Sequence, residues 1–355
     1  LINAIRTGIF LGDLRRAMRS ALNNKIFCVL GWKRGFEDWN FNREKKMRLD
    51  YSGVSLSRVN SGKDLDALAS MRVMLIMRER KKQLALGPSP ERLLNDKLHA
   101  YKFVDLLGVR RPRVISARGR HDELPSDLTN FVIKPVNGKT SRGVYAVFNE
   151  NLIKQVKTAE VFSGRQALID HLRSDLQSGV VKEDRWIIEE LIVEDDHPLV
   201  AARDLKFYCF YGRVSHVMEI TRDPVTRYCF WDVNSKLKEV GGFAEKLFIG
   251  GGFKPNLLRL AERMSSEIPA PFMRIDFHAT GSDMVFCEFT PTSGPIWDYE
   301  KGTDQLLGDY YLEAEARLLA DLLNGKRFDA YNFFRKNALG LKSSAIVEKP
   351  LAVLA

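Results

Sequence analysis

The change of hydrophobic period at Phe131 constrains this chain more than any other feature. From there, 131–135, 144–148, 186–192, 205–211, 213–220, 272–278 and 284–290 are short runs rich in aromatic and β-branched residues, which reads as strands. The last two are separated by Gly281-Ser282, a pair suited to a hairpin turn. Helices are expected at 166–177, among the strands, and at 304–323, after them. Strands joined by hairpins and interrupted by few helices predict an α+β fold with mostly antiparallel sheets.

The residues before Phe131 follow a different pattern. Asn95-Asp96 can cap a helix over 97–107 that Gly108 stops. Apolar residues at helical spacing over 65–86 end at Gly87-Pro88, which predicts a boundary near residue 88. Ile2, Ile5, Ile9, Leu14, Met18 and Leu22 suggest an amphipathic helix with arginines opposite, and 26–30 reads as a buried strand closed by Gly31. Docking of that helix on a protein core is favoured over docking on a membrane, because its aromatic anchors and basic residues are sparse.

The charge is as uneven as the pattern. Residues 1–90 hold 18 Lys and Arg against 8 Asp and Glu, whereas the remainder holds 37 of each, so the whole net charge of +10 is amino-terminal. Such a face can bind polyanions or anionic lipid, but a solvated surface is the plainer reading, and aromatic and basic residues are not interleaved as in RNA-binding motifs. No nucleic-acid partner is expected. No apolar stretch nears the roughly 20 residues of a membrane span, and arginines interrupt the amino end where a signal peptide needs an apolar centre. Cys28, Cys209, Cys229 and Cys287 form no CxxC pair, which fits a reducing cytoplasm and gives no zinc signature. A metal here would take oxygen ligands, which favours magnesium. The expected location is cytoplasmic, with peripheral contact at the inner face of the cell membrane as the alternative that the basic region allows.

Two stretches carry chemistry. In 131–147, two strands flank a loop in which Gly138 and Gly143 let backbone approach an anion, Ser141 supplies a donor, and Lys139 or Arg142 supplies charge. Gly138-Lys139-Thr140 is not a Walker loop: Ile133 stands where that motif needs glycine, and a strand follows instead of a helix. Lys134, on the strand entering the loop, stands at a fixed distance from it. In the second stretch, alternation puts Arg274 and Asp276 on one face of a strand, and Glu288 and Thr290 on one face of the next. If those faces meet, two carboxylates and an arginine converge, and a cation such as magnesium would relieve their repulsion. A surface salt bridge to Arg274 is the competing reading, while the flanking Ile275, Phe277, Cys287 and Phe289 suggest strands packed on their other face.

Taken in order, these motifs resemble the ATP-grasp superfamily over roughly 95–294. The segments Glu288-Phe-Thr-Pro-Thr-Ser-Gly294 and Lys206-Phe-Tyr-Cys-Phe-Tyr-Gly-Arg213 look most like its TupA-like branch, found with polysaccharide-assembly genes, and a close relative is the sugar-transfer-associated group. The resemblance implies two α+β subdomains clasping ATP, here 89–185 with the glycine-rich loop and 186–330 with a metal site. A basic, partly helical region at 1–88 and a tail at 331–355 flank them. It also implies roles. Lys97 and Lys134 would hold nucleotide phosphate, Gly138, Ser141 and Gly143 would belong to the mobile loop, and Glu189 with the backbone of Glu190 and Ile192 would meet adenine. Asp204 would bind ribose, with Glu194, Asp195 or Asp196 as alternatives, and Lys206 would reach the phosphates. Asp276 and Glu288 would ligate Mg2+, and Arg274 would stabilise a tetrahedral intermediate. Thr290 stands where many members carry asparagine, a better carbonyl-like ligand, so it bears on whether one or two magnesium ions bind.

The activity implied is ATP-dependent joining of a carboxylate to an amine through an acyl phosphate, with an acidic glycan or an amino acid as substrate. An ATP-grasp kinase acting on a hydroxyl and a non-catalytic basic binding module are the alternatives.

Overall fold

The aromatic and β-branched runs decide the architecture: the central ones are buried along both faces and pair through their edges. The structure is a computed structural model that describes residues 70, 74, 89–138, 141–222, 225–241, 243, 246–281, 283–292 and 299–340. The helix expected at 1–22, the strand at 26–30, almost all of the helix at 65–86, Lys139, Thr140, Ser282, Gly294 and the end of the expected tail lie outside these residues. The described residues all fall within one unit, 68–355.

Two short helices open it, α1 (Pro90–Leu94) and α2 (Lys97–Leu106). The Asp96 carboxylate accepts from the His99 backbone N–H at 2.9 Å and caps α2 where the sequence predicts. Next come β1 (Val114–Gly119), β2 (Phe131–Pro135), β3 (Tyr145–Asn149), β4 (Leu152–Gln155), β5 (Val161–Phe162), α3 (Arg165–Gln177) and β6 (Trp186–Glu190). These strands form a six-stranded sheet in the order β1-β6-β2-β3-β4-β5, with every pair antiparallel. Leu168 and Leu172 of α3 cover one face, sealing Phe131, Ile133, Tyr145, Val147 and Trp186. β6 belongs to this sheet, on the far side of the division expected at 185/186.

A small pair, β7 (Val193–Glu194) and β8 (His197–Ala201), leads to the second sheet. It comprises β9 (Arg203–Cys209), β10 (Val214–Thr221), β11 (Arg227–Trp231), β12 (Met273–Ala279) and β13 (Met284–Thr290), ordered β11-β10-β9-β12-β13 and antiparallel throughout. The strand expected at 205–211 begins two residues earlier and stops at Cys209. Tyr211 and Gly212 both take positive φ, and Phe210 and Arg213 exchange backbone hydrogen bonds across them, so this pair is the hairpin turn into β10.

α4 (Pro255–Ser266) precedes β12, and α5 (Lys301–Leu323) and α6 (Asp329–Ala338) follow β13. The sequence pattern gives α5 but not α4, whose prolyl start follows a glycine-rich run. The stretch expected as a tail from 331 begins inside α6, whose Phe334 packs on Phe103 of α2 with ring centroids 5.7 Å apart. Phe103 also meets Phe289 of β13, so α2 is seated on the second sheet while its neighbouring turn reaches the first. Among the described residues no helix is long and apolar enough to cross a membrane.

Candidate active site

The register of the second sheet gathers the charged residues. Arg274 lies opposite Thr290 and Asp276 opposite Glu288, so the two faces read from the sequence are one face. On the other side of β12, Asp276 pairs with Lys206, Arg274 with Tyr208, and His278 with Asp204.

The result is a chain of alternating charge. Arg274 forks onto Asp276 with Nε–Oδ1 and Nη2–Oδ2 distances of 2.7 Å, and Lys206 Nζ donates to Asp276 Oδ2 at 2.6 Å. Lys206 also stands 3.0 Å from Asp204 Oδ1, and Arg222 donates to Asp204 Oδ2 at 2.7 Å. Asp276 has no exposed surface, and Asp204, Lys206 and Arg274 are buried. Burial pushes the Asp276 carboxyl up, but Arg274 and Lys206 more than offset it and hold it below the usual range. Asp204 is depressed in the same way by Lys206 and Arg222. Burial alone would lower Lys206 and Arg274, whereas their carboxylate partners hold both above their ordinary values.

The chain opens toward solvent at Glu288. Its side chain is 35% exposed, and its contacts are long: Lys97 Nζ at 4.0 Å, Arg274 Nη2 at 3.9 Å and Thr290 Oγ1 at 3.5 Å. Arg274 donates to Thr290 Oγ1 at 3.0 Å. Among the described residues, no group of three or more His, Cys, Asp or Glu side chains is gathered as a metal cluster. The hard oxygens expected of a magnesium site are nonetheless adjacent. Glu288 and Thr290 are the reachable donors, and Asp276 stands behind them with its oxygens shared between Arg274 and Lys206, a buried ion pair and not the surface bridge of the competing reading.

The first sheet carries a second, smaller cluster. Lys134 on β2 donates to Glu189 Oε1 on β6 and, at 3.2 Å, to the Tyr101 hydroxyl of α2. Tyr101 in turn donates to Glu189 Oε2 at 2.7 Å. All three are buried. Burial opposes the charge on Lys134, but Glu189 more than offsets it and raises the ammonium above its usual value; burial also keeps the Tyr101 phenol protonated. The Glu189 carboxylate expected at adenine thus faces Lys134.

The loop after β2 bends as its glycines suggest. Gly143 has φ 67°, and a Cβ there would come within 2.6 Å of Val181 Cγ2; Ser141 is also left-handed at φ 56°. Gly138 donates its N–H to Pro135 O at 3.2 Å and lies against that proline ring. At the end of β6, the Glu190 N–H donates to Arg113 O at 2.9 Å, its carboxylate accepts from Arg110 and from the Arg113 N–H, and beyond the strand Ile192 O accepts from Ala202 N–H. Among the ribose alternatives, Glu194 accepts from the Arg203 N–H at 3.3 Å.

Three participants escape the sequence reading. Tyr101 stands four residues after Lys97 on a capped helix, a spacing that puts both on one face and could have flagged it. Arg222 reads from the sequence only as standing, with Arg227, upstream of the glycine-rich segment 241–252, and nothing beside it points to Asp204. Cys287 is missed because alternation fails: Phe286 opposes Phe277 while Glu288 opposes Asp276, so Cys287 is an extra bulge residue. It therefore does not join the opposite-face core in which strict alternation places it. Burial and the Glu288 charge raise its thiol, with Lys134, Asp204 and Lys206 also acting on it. The glycine-rich segment 241–252 reads from its sequence as a flexible surface loop, with a lid or acceptor wall as the alternative; in the structure Gly251 and Gly252 at its end are tied down. The buried Glu219 carboxylate accepts from Gly251 N–H and Gly252 N–H at 3.1 Å, from Trp231 Nε1 at 2.9 Å and from Arg203 at 3.3 Å.

No curated protein matches the chain in sequence. Among solved structures, D-alanine–D-alanine ligase from Bacillus anthracis is similar at 14% identity and a TM-score of 0.42, over 75% of this chain and 85% of that one. The ATP-grasp ligase PsnB complexed with a minimal precursor is similar at 12% identity and a TM-score of 0.36, over 69% and 72%. Family membership rests on neither of these distant likenesses. The family described as TupA-like ATP-grasp matches residues 75–312, a span containing both charged clusters and every strand among the described residues, and the chain belongs to that family.

Proposed function

We propose that the chain is an ATP-dependent carboxylate–amine ligase that works through an acyl phosphate, acting on an acidic glycan or an amino acid in the assembly of a cell-surface polysaccharide. The observation that carries this reading is the buried Arg274–Asp276–Lys206 chain ending at the accessible Glu288, within an ATP-grasp family member. Lys97, Lys134 and Lys206 are the cations for the phosphates, beside the loop of Gly138, Ser141 and Gly143. Glu189, Glu190 and Ile192 border the adenine side, and Asp204 the ribose side. Glu288 and Thr290, with Asp276, would hold magnesium, which when bound neutralises phosphate oxygens.

In this reading, the substrate carboxylate attacks the γ-phosphoryl group in line, ADP leaves, and the amine displaces phosphate from the acyl phosphate to give an amide. Arg274 stabilises the oxyanion formed in that attack, an effect worth about 3–4 kcal/mol for one such donor. Its fork on Asp276 fixes the guanidinium before substrate arrives, which is where such stabilisation gains its strength. No side-chain nucleophile is required, because activation occurs on the substrate.

The test is phosphate release from MgATP with candidate carboxylates, with and without amines, followed by mass analysis. Turnover requiring both substrates is expected, and Glu288→Gln should abolish it. A phosphorylated alcohol would replace ligation by kinase chemistry, and salt-sensitive polyanion binding without nucleotide turnover would replace both by a binding module.

A further inference from the structure

Tyr101 belongs to no motif, yet it touches both clusters' neighbourhoods. Its ring is seated against the second sheet, edge-on to Phe286 with centroids 6.3 Å apart, and the Arg111 guanidinium lies 5.0 Å from its centroid. Its hydroxyl reaches the first sheet and donates to Glu189 Oε2 while accepting from Lys134. One turn earlier on the same helix, Lys97 stands beside Glu288.

This geometry has a chemical consequence for a lysine that must engage a phosphate. Glu189 is only 4% exposed, and its two oxygens accept from different donors, Lys134 on one and Tyr101 on the other. A buried carboxylate deprived of its donors is costly, so a Lys134–Glu189 pair standing alone would resist giving the ammonium to an incoming anion. A fixed neutral phenol changes that balance: it stays on Glu189 while the ammonium turns.

We propose that Tyr101 is a positioning residue of the nucleotide site, whose hydroxyl keeps Glu189 satisfied so that Lys134 can be shared with a phosphate oxygen. The proposal rests on the ATP-binding reading above. Because the ring is held by Phe286 and Arg111, the hydroxyl does not follow Lys134, and the helix that presents it also presents Lys97 to the metal side.

The experiment is a titration of wild type, Tyr101→Phe, Glu189→Gln and the double variant with the magnesium complex of a non-hydrolysable ATP analogue, alongside steady-state kinetics. Wild type is measured first: failure to bind the analogue sinks the nucleotide reading itself. Given binding, Tyr101→Phe should weaken it about tenfold and raise the KM for ATP by a similar factor, with kcat within about twofold. In the Glu189→Gln background the same substitution should change affinity less than about twofold, since no bare carboxylate then remains. Wild-type affinity in Tyr101→Phe, or an equal loss in both backgrounds, would overturn the proposal. A purely structural role predicts that equal loss. Should Tyr101→Phe not fold, the nucleotide KM and kcat of Tyr101→His decide instead: a ring donor that restores folding should leave kcat closer to wild type than KM, and a fall in kcat alone refutes the role.

Discussion

The two charged clusters solve burial differently. At the first sheet, one cation and one carboxylate close into a trio with the phenol that α2 supplies, and their hydrogen bonds stay within the three. On the second sheet, Arg222, Asp204, Lys206, Asp276, Arg274 and Glu288 form a line that starts in a half-buried arginine and ends in a carboxylate open to solvent. A closed trio has one bond to exchange. A line can accept charge at its end and redistribute it along its length, which suits a place where phosphate, metal and a developing oxyanion would all be handled.

Breaking the line at its centre should have the largest effect. Asp276→Asn leaves Arg274 and Lys206 buried without their shared carboxylate and should cost about 3–5 kcal/mol in denaturant unfolding, because both cations lose a charged acceptor. Glu189→Gln should cost less, about 2 kcal/mol, since the Tyr101 hydroxyl and the single amide oxygen still satisfy part of the trio. Equal losses would mean that the line is no more interdependent than the trio.

Acid offers a finer probe of the second sheet's flank. His216 is fully buried, stacked on Tyr208 at 4.0 Å and hydrogen-bonded to Tyr299 at 3.2 Å, and burial with the Lys238 charge drives its pKa well down. With the folded value depressed, stability is complete above the unfolded value near 6.5 and falls as the unfolded chain takes up the proton, by about 1 kcal/mol from pH 6.5 to 5.5. His216→Gln should flatten that slope in pH-dependent unfolding. The smallest stability change is expected for Glu288→Gln, under about 1 kcal/mol, because its ion pairs are long and partly solvated. A large loss there would show the line to be closed at both ends.

The line was legible in outline and the trio only in part. Alternation in β12 and β13 is regular from Arg274 to Asp276 and from Glu288 to Thr290, which puts each pair on one face, while the meeting of the two faces follows only from the register. Lys134 and Glu189 are likewise on readable strands. Tyr101 and Arg222 reach the site from a helix and a strand end, so no strand period reports them. Cys287 was misplaced because a bulge adds a residue without altering local composition. The glycine-rich run before α4 reads as mobile because the acid that fastens it, Glu219, lies in β10, more than a helix-length away in sequence.

That fastening bears on affinity. Glycine gives up more conformational freedom than any other residue when it is fixed, and Gly251 and Gly252 have already given it up to a buried carboxylate on folding. Any ligand that rests on these two glycines would therefore meet a surface whose ordering entropy does not count against its own binding.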